Sequence, residues 1–217
     1  MTALGKRKDG NGVERLDRPF FARDTISVAR ELLGQRLVRV LDGDLHLAGI
    51  IVETEAYIGE GDRACHAACG RTKRNAVMYG SAGHAYVYFV YGMYHCLNIV
   101  SEHEGFPAAV LLRALQPIEG IAYMRKNRAG RADRELTSGP GRLCQALAVD
   151  LSFYGHDLCK SSKLFIESSS VPVAISAGPR IGIAADEQCR ERPWRFFVTD
   201  NPFVSCQKKA SDFTDSS

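Results

Sequence analysis

Apolar and polar residues alternate along several stretches of this chain, and the alternation predicts a protein built mainly from β-strands. Strands with one buried face show this period of two. The stretches occupy residues 35–41, 45–57, 84–90, 95–100 and 108–115, with shorter ones near residues 163–167, 180–184 and 195–198. Asp42, Gly43 and Gly92 lie between neighbouring stretches and favour hairpin turns, so we expect a mainly antiparallel sheet.

Three segments carry helix signals instead. Residues 24–34 begin with a capping Asp-Thr pair and end on a glycine. Proline predicts the start of two further helices, one from Pro117 to about residue 127 and one from Pro140 to about residue 148. Hairpin strands with helices placed elsewhere predict an α+β fold, in which a single mixed domain has a curved, mainly antiparallel sheet flanked by helices.

The two ends of the chain differ in composition from the rest. Residues 1–13 are rich in Gly, Lys, Arg and Asp and are expected to form a disordered basic tail, and residues 207–217 a flexible C-terminal tail. Residues 14–206 then form one domain. Within it, residues 58–83 lack periodicity, and a loop of that length in a compact domain is usually functional.

Composition narrows the class of protein only a little. The 217-residue chain has a formal net charge of +3, which permits nucleic-acid binding without requiring it. It has no apolar run of ~20 residues and no apolar signal sequence, so we expect neither a membrane span nor secretion. Seven cysteines without such a signal indicate an intracellular protein, in the cytoplasm or nucleoid of a bacterium or the nucleus of a eukaryote. Cys65, His66 and Cys69 lack a second pair of ligands, so no zinc site is expected.

The tip of the hairpin at residues 84–100 has an unusual composition. Tyr91, Met93 and Tyr94 surround Gly92, where hairpin tips normally carry small or polar residues. An exposed apolar wedge costs solubility unless a partner receives it. DNA is one such partner, because apolar side chains can enter the minor groove and unstack a base step. Insertion into DNA is therefore one function that this hairpin tip suits.

Two acidic residues interrupt the apolar strand at residues 45–57. Glu53, Glu55 and Tyr57 should share one face, because side chains alternate along a strand. Two carboxylates this close shift each other's pKa, and one could act as a general base towards water. Either could instead form a structural ion pair. Arg113, in another apolar strand, needs an anion, which Glu53, Glu55 or a phosphate would supply.

Other candidate residues each have a structural alternative. Tyr88 could be a stacking surface for a flat ring or could simply pack in the sheet. Asn98 could satisfy backbone groups or contact the edge of a ligand, and His66 could be structural. The basic residues at 71–74 suit phosphate contacts, although charged runs are usually just solvated.

These residues belong to a longer series of motifs. In order along the chain it comprises VETEAY at 52–57, His66, TKRN at 72–75, YVYFVYGMY at 86–94, Asn98, LLRAL at 111–115, SGPGRLCQAL at 138–147 and PRIG at 179–182. The series spans about residues 16–205 and resembles the alkyladenine (3-methyladenine) DNA glycosylase family, whose members usually have proline where Lys73 stands. The resemblance implies one mixed domain around a curved antiparallel sheet with a protruding hairpin.

The resemblance also implies roles for the matching residues. Glu55 matches the general base that activates water, and Arg113 and the carbonyl of Ile181 match the groups that hold that water. A flipped base would be bound between Tyr57 and Tyr88. The other matches are His66 as an edge contact of that base, Asn98 as the group that clashes with the 2-amino group of guanine, Tyr91 as the intercalating wedge, Met93 and Tyr94 as its flanks, and Thr72, Arg74 and Met78 as DNA contacts.

The implied function is that of a monofunctional DNA glycosylase, which flips alkylated or deaminated purines out of double-stranded DNA and hydrolyses the N-glycosidic bond. A cavity rich in π faces would favour positively charged alkylpurines. The resemblance implies no metal or organic cofactor, no lysine nucleophile and a monomer. The preferred lesion stays open among 3-methyladenine, 7-methylguanine, hypoxanthine and ethenoadenine. A non-catalytic DNA- or RNA-binding module and a small-molecule nucleoside hydrolase stay open as alternatives.

Overall fold

β-Strands supply most of the regular structure of this chain. The computed structural model describes residues 6–8 and 14–205. The strands are β1 (Lys6–Lys8), β2 (Glu14–Leu16), β3 (Arg36–Val40), β4 (His46–Ile58), β5 (Ala85–Val90), β6 (Tyr94–Val100), β7 (Ala108–Glu119), β8 (Leu164–Glu167), β9 (Ile175–Gly178) and β10 (Arg195–Val198). The helices are α1 (Arg18–Phe21), α2 (Thr25–Glu31), α3 (Ile121–Asn127), α4 (Pro140–Ala146) and α5 (Glu187–Glu191).

Antiparallel pairing joins these strands into one sheet. Neighbours follow the order β1-β2-β8-β3-β4-β7-β6-β5. The long strand β4 pairs with β3 through residues 46–50 and with β10 through residues 53–55, and β9 extends the sheet beyond β10. The result is one domain with a curled antiparallel sheet and few helices, which confirms the predicted α+β class.

Irregular pairing distorts β4 where its acidic residues lie. The register between β4 and β7 shifts between Ile51 and Glu53 and again between Glu53 and Thr54. Such bulges increase local twist and change the direction of side chains. The Thr54 hydroxyl faces the helices and donates to the Ala29 carbonyl of α2 at 2.8 Å. Glu53 and Glu55 extend to the opposite face, as the alternation predicts.

The main hydrophobic core lies between the sheet and helices α2 and α4. Val28 of α2, Leu32 directly after α2 and Leu143 of α4 are fully buried there, together with Ile51 of β4 and Leu112 of β7. Burying each large aliphatic side chain contributes about 1.5–3 kcal/mol. This packing anchors the two central strands and leaves their other face for polar side chains.

Most predicted elements are confirmed. Asp24 caps α2 by accepting a hydrogen bond from the Ser27 amide at 2.8 Å, and Gly34 follows the helix with a φ of 85°. Strands β5 and β6 pair in register as a hairpin, with Val90 opposite Tyr94. Strands β3, β4, β7, β8 and β10 and helix α4 also lie where the sequence predicts them.

Pro117 does not start a helix, so that prediction is wrong. It lies in β7 opposite Gly49 of β4, beside a register shift. A proline is tolerated at such an irregularity because it has no amide hydrogen to donate to a regular ladder. Helix α3 begins only after Gly120, whose φ of 70° turns the chain out of the strand.

The prediction of a strand at residues 180–184 is also wrong. Arg180 and the amide of Ile181 are instead engaged with Asp62 and Glu55, and the strand of this region is β9, a few residues earlier. These contacts hold the segment as a loop against the site described below.

Residues 6–8 lie within the predicted N-terminal tail and form β1, which pairs with β2 and has Lys8 opposite Glu14 in the register. The bounds of the tails and of the domain stay a prediction. The rest of both predicted tails lies outside the described residues. Within residues 14–205, none of the helices has the length and apolar character needed to cross a lipid bilayer.

Gly120, between β7 and α3, offers a test of how closely the chain packs there against His46 and Leu47 of β4. A Cβ added there would lie 2.5 Å from the His46 carbonyl oxygen, in addition to a clash with Leu47. Gly120→Ala should therefore lower the free energy of unfolding by about 3 kcal/mol, from left-handed backbone strain and overpacking. Gly105→Ala is the matched control, because Gly105 also has positive φ but open space around it. Chemical denaturation measures both variants, and equal losses would contradict the clash.

Candidate active site

The centres of β4 and β7 bring three charged side chains together. Glu53 and Glu55 lie on β4 and Arg113 on β7, and all three are buried. Arg113 Nε is 3.2 Å from Glu53 Oε1, and Arg113 Nη1 is 3.2 Å from Glu55 Oε1. The anions that a buried arginine requires are therefore these two glutamates.

Glu53 is fully engaged by structural partners. Its Oε1 also accepts a hydrogen bond from Arg195 Nη1 at 3.1 Å, and its Oε2 accepts one from the Ser205 amide at 2.7 Å. Two guanidinium groups and an amide hold this carboxylate between β4, β7, β10 and the C-terminal residues of the described chain. The structural alternative considered for the two glutamates therefore fits Glu53.

Glu55 is held by three donors from three parts of the chain. Besides the Arg113 contact, its Oε1 accepts a hydrogen bond from the Ile181 amide at 2.7 Å, and its Oε2 accepts one from the Tyr57 hydroxyl at 2.8 Å. The resemblance implies a role for the Ile181 carbonyl, whereas the contact seen here is made by the amide. Donors fixed in this way orient the carboxylate before any substrate arrives.

Burial and hydrogen bonding change the pKa of Glu55 in opposite directions. Removal from water raises this pKa and is the largest effect, and the Arg113 charge, the Ile181 amide and the Tyr57 hydroxyl lower it only in part. Burial, followed by the charge of Glu55, raises the pKa of Tyr57 well above its usual value, so this phenol stays protonated and can donate. A raised pKa brings the Glu55 carboxylate closer to the range useful for a general base.

An aromatic cavity of about 350 Å³ opens beside Tyr57. Tyr57, Tyr88, His66 and Asn98 all line it, so the structure brings the four residues predicted for a base pocket to one place. Its volume lies within the range of small-molecule sites, near the lower end.

Hydrogen bonds fix the polar residues of this aromatic cavity. His66 Nδ1 lies 2.8 Å from the Tyr86 hydroxyl, and the His66 ring makes an edge contact with Tyr88. Burial, and then the charge of Arg74, lower the pKa of His66, which favours the neutral ring. Asn98 donates to the Tyr86 carbonyl at 3.0 Å, so it satisfies a backbone group while it also lines the cavity.

A second cavity, of about 490 Å³, adjoins the first. It shares several lining residues with the aromatic cavity, Tyr57 among them, and extends to Arg113, Ile181 and the first residues of α4. Glu55 contacts Tyr57, Arg113 and Ile181, which all line this second cavity. The Glu55 carboxylate therefore lies behind the wall of the second cavity, and Tyr57 links it to the aromatic cavity as well.

The β5–β6 hairpin presents apolar side chains to solvent. Tyr91 is 82% exposed, Met93 64% and Tyr94 39%. The Met93 amide donates to the Val90 carbonyl at 3.2 Å, closing a turn in which Tyr91 and Gly92 have φ values of 54° and 69°. Positive φ at both central residues suits the twist of a hairpin, but it is unfavourable for a residue with a Cβ. The turn thus holds an exposed tyrosine on strained backbone.

Residues predicted to contact DNA lie in two different environments. Thr72 and Arg74 are on an exposed loop, where the Arg74 guanidinium lies 5.1 Å from the centroid of the Tyr88 ring. Met78 is only 1% exposed and packs in a cluster with Cys65 and Ala67. This burial separates the Met78 side chain from the exposed loop, and a contact between Met78 and DNA stays a prediction. The turn at Ala76–Tyr79 directs this side chain inward, where it lines the aromatic cavity.

The sequence analysis missed a buried ion pair beside the site. The side chains of Arg180 and Asp62 are both fully buried, and Arg180 Nη2 donates to Asp62 Oδ1 at 2.8 Å. The Arg180 guanidinium also lies 4.8 Å from the centroid of the Tyr57 ring. Both residues occur in irregular, polar segments, and no local pattern links positions so far apart in the chain.

The cysteines and histidine considered for zinc are arranged for other contacts. Cys65 is buried, and the Cys69 thiol donates to the His66 carbonyl at 3.2 Å. In the part of the chain that the structure describes, no three His, Cys, Asp or Glu side chains are grouped to hold a metal ion.

Together, the fold and these cavities define a protein with two tyrosines in the lining of one cavity and a buried, oriented carboxylate in contact with one of them. The sequence profile of the family described as Methylpurine-DNA glycosylase matches residues 19–202. The match covers most of the chain, so the chain belongs to the methylpurine-DNA glycosylase family. It is a DNA glycosylase, which confirms the family inferred from the motifs.

Three curated relatives carry the name "Putative 3-methyladenine DNA glycosylase". The relative from Methanocella arvoryzae is 50% identical over 191 residues, which cover 88% of this chain and 95% of the relative. The relative from Carboxydothermus hydrogenoformans is 49% identical over 193 residues, covering 88% and 98%. The relative from Bacillus cytotoxicus is 44% identical over 200 residues, covering 86% and 97%. The members of this family are enzymes that act on DNA. The two alternative functions considered from the sequence, a non-catalytic nucleic-acid-binding module and a small-molecule nucleoside hydrolase, do not agree with this membership.

The positive φ of Tyr91 should make this exposed tyrosine destabilising for the fold. Tyr91→Asn should raise the free energy of unfolding by about 1 kcal/mol, because asparagine tolerates positive φ and no buried contact is lost. Thermal and chemical denaturation measure the change. Met93→Asn is the control at a neighbouring exposed position without positive φ. A loss of stability in Tyr91→Asn, or an equal gain in the control, would contradict the strain.

Proposed function

We propose that this chain removes damaged purines, 3-methyladenine among them, from double-stranded DNA by hydrolysing the N-glycosidic bond. The observation that carries the proposal is the 2.8 Å contact between Tyr57 and Glu55, which links an oriented carboxylate to the wall of an aromatic cavity. Action as an intracellular monomer belongs to the same proposal.

The aromatic cavity offers the surfaces that an extruded purine needs. Extrusion costs a few kcal/mol, and least where the damaged base is already poorly paired. Stacking on an aromatic ring recovers about 1–3 kcal/mol per base. Tyr57 and Tyr88 are the proposed walls, and His66 is the proposed edge contact. Asn98 would exclude guanine by a clash with its 2-amino group.

The exposed hairpin tip supplies the proposed contact with the duplex. Tyr91 would enter the minor groove and fill the gap left by the extruded nucleotide, with Met93 and Tyr94 beside it. Thr72 and Arg74, on the exposed loop near the cavity, would contact the backbone. The high exposure of Tyr91 on a short, paired ribbon supports this assignment.

Hydrolysis follows from the position of Glu55. This carboxylate takes a proton from water, the water oxygen bonds to C1′ of the sugar, and the electron pair of the broken bond leaves with the purine. The negative charge of Glu55 also stabilises the positive charge that develops on the sugar. Arg113 and the Ile181 amide keep the carboxylate in place, and the Ile181 carbonyl is a proposed partner of the water.

Attack by water would make the enzyme monofunctional. A glycosylase that also nicks the strand needs an amine nucleophile to form a Schiff base. In the described part of the chain, the basic residues that line the two cavities are arginines, such as Arg74 and Arg113, and none is a lysine. The product is therefore expected to be an intact strand with an abasic site.

Replacement of Glu55 is the most direct kinetic test. Glu55→Gln should bind lesion-containing duplex as the wild type does but excise the base at least ~100-fold more slowly, given typical general-base contributions. Single-turnover excision, read out by alkaline cleavage of the abasic product, measures the rate, and anisotropy measures binding. Duplexes that each carry one lesion establish the substrate range in the same assay.

The neighbouring acid provides a matched control for this experiment. Glu53→Gln removes an equally buried carboxylate of the same strand, but one that is held by Arg113, Arg195 and the Ser205 amide. It should lower thermal stability and slow excision much less than Glu55→Gln. Near-normal excision by Glu55→Gln, or equal loss in both variants, would exclude Glu55 as the base.

The Tyr57 hydroxyl makes the pH profile a second test. Its hydrogen bond lowers the pKa of Glu55, and a general base works only when deprotonated, so excision is lost as the pH falls through that pKa. Tyr57→Phe keeps the ring but removes this bond, so the acid limb of the rate profile should move to higher pH. Tyr88→Phe removes a hydroxyl that does not contact Glu55 and should leave the limb in place. An unmoved limb in Tyr57→Phe would contradict the assignment.

A further inference from the structure

Each tyrosine wall of the aromatic cavity already has an arginine against its ring. The guanidinium carbon of Arg180 lies 4.8 Å from the centroid of Tyr57, and that of Arg74 lies 5.1 Å from the centroid of Tyr88. Both distances are within the range of cation–π contacts. The walls are therefore not the unoccupied π surfaces that the sequence suggests.

Arg180 lies behind the wall and does not reach into the cavity. Its side chain is fully buried and is absent from the residues that line the aromatic cavity, whereas Tyr57 lines it. It donates to Asp62 and to the Ala56 carbonyl, at 3.0 Å for the latter, and its guanidinium is also 5.1 Å from the Trp194 ring. These contacts fix the Arg180 guanidinium behind Tyr57, with both of its Nη atoms on the Asp62 carboxylate, which balances most of its charge.

Arg74 brings a second positive charge to the opposite wall. It lines the cavity itself, and its Nη2 donates to the Phe89 carbonyl at 3.4 Å. The other charged residue in the lining is Arg63, which is also basic, although it is paired with Asp186 at 3.1 Å. A bound purine would therefore lie beside the Arg74 charge, while the charges of Arg63 and Arg180 are each paired with an aspartate.

Such charges act differently on neutral and on cationic purines when the whole path from free DNA to the transition state is considered. When the glycosidic bond breaks, the electron pair stays on the purine, while the water oxygen bonds to C1′ and its proton goes to Glu55. A neutral purine binds without charge and departs with negative charge, which nearby guanidinium groups stabilise. An N-alkylated cationic purine binds with positive charge, which the same groups repel, and departs neutral, so it gains no such stabilisation.

We infer that Arg180, acting through Tyr57, and Arg74, acting beside Tyr88, are specificity-determining residues that favour neutral damaged purines over cationic ones. The inference rests on the proposed function. It concerns the ratio of two excision rates, and a purely structural role would lower both rates together and leave that ratio unchanged.

The experiment compares hypoxanthine, a neutral purine, with 7-methylguanine, a cationic one, in the same duplex, with enzyme in excess of DNA but below saturation, so that each excision rate reports kcat/KM. Arg74→Met should lower the hypoxanthine-to-7-methylguanine rate ratio about fivefold, whereas Arg74→Lys, which keeps the charge, should largely preserve it. Arg74 is exposed, so the fold should tolerate both changes.

Arg180 requires a paired change, because a lone buried Asp62 would destabilise the fold. Arg180→Met combined with Asp62→Asn removes both charges of the pair and should lower the same ratio by less than Arg74→Met does, about twofold, because Asp62 already balances most of the Arg180 charge. Arg192→Gln is the matched control, since Arg192 stacks on Trp194 at 4.6 Å but does not line the cavity. Its ratio should equal that of the wild type. Thermal melting confirms that each variant is folded.

The outcomes separate this inference from the proposed function. An unchanged ratio in both Arg74→Met and the Arg180 double variant, with an active wild type, would overturn the inference and leave the proposed function intact. A higher ratio in either variant would also overturn it. A wild type that excises neither purine would contradict the proposed function itself.

Discussion

The buried contact of Glu55 with Arg113 and the Ile181 amide is the constraint on which the rest of this site depends. A carboxylate taken out of water is costly unless donors surround it. Here β7 supplies one donor, the segment after β9 a second and β4 itself a third, through Tyr57. The curled sheet and the bulges in β4 are what bring these groups within reach. The hydrogen bonds that complete the fold at this point are thus the ones that orient the candidate base.

Features that serve the site run against stability. Glu55 is buried with a raised pKa, the Arg180–Asp62 pair is fully buried, and Tyr91 occupies left-handed backbone at an exposed tip. Each of these arrangements costs free energy that a simpler sequence would avoid. The hydrophobic core between the sheet and helices α2 and α4 offsets these costs. Local departures from folding preferences of this kind are expected where a protein acts.

The sequence predicts the elements better than it predicts the contacts. Alternation located the central strands, and capping located α2, because both signals depend only on neighbours in the chain. The helix predicted from Pro117 is wrong because an irregularity in the pairing of β7 with β4 allows a proline within the strand, and that irregularity depends on the partner strand. The Arg180–Asp62 pair and the inward turn of Met78 depend on long-range packing, which has no local signal. Motif resemblance predicts roles for Tyr57, Tyr88 and Glu55 and already prefers Glu55 to Glu53 as the base, whereas the partners that hold Glu53 are visible only in the structure.

A crystal structure of the Glu55→Gln variant bound to a duplex with one hypoxanthine would test the central claim most directly. The account predicts that the purine lies between the rings of Tyr57 and Tyr88, that Tyr91 occupies the gap in the duplex, and that a water bridges residue 55 and C1′ of the sugar. A purine still stacked in the helix, or one bound outside the aromatic cavity with residue 55 remote from C1′, would contradict it.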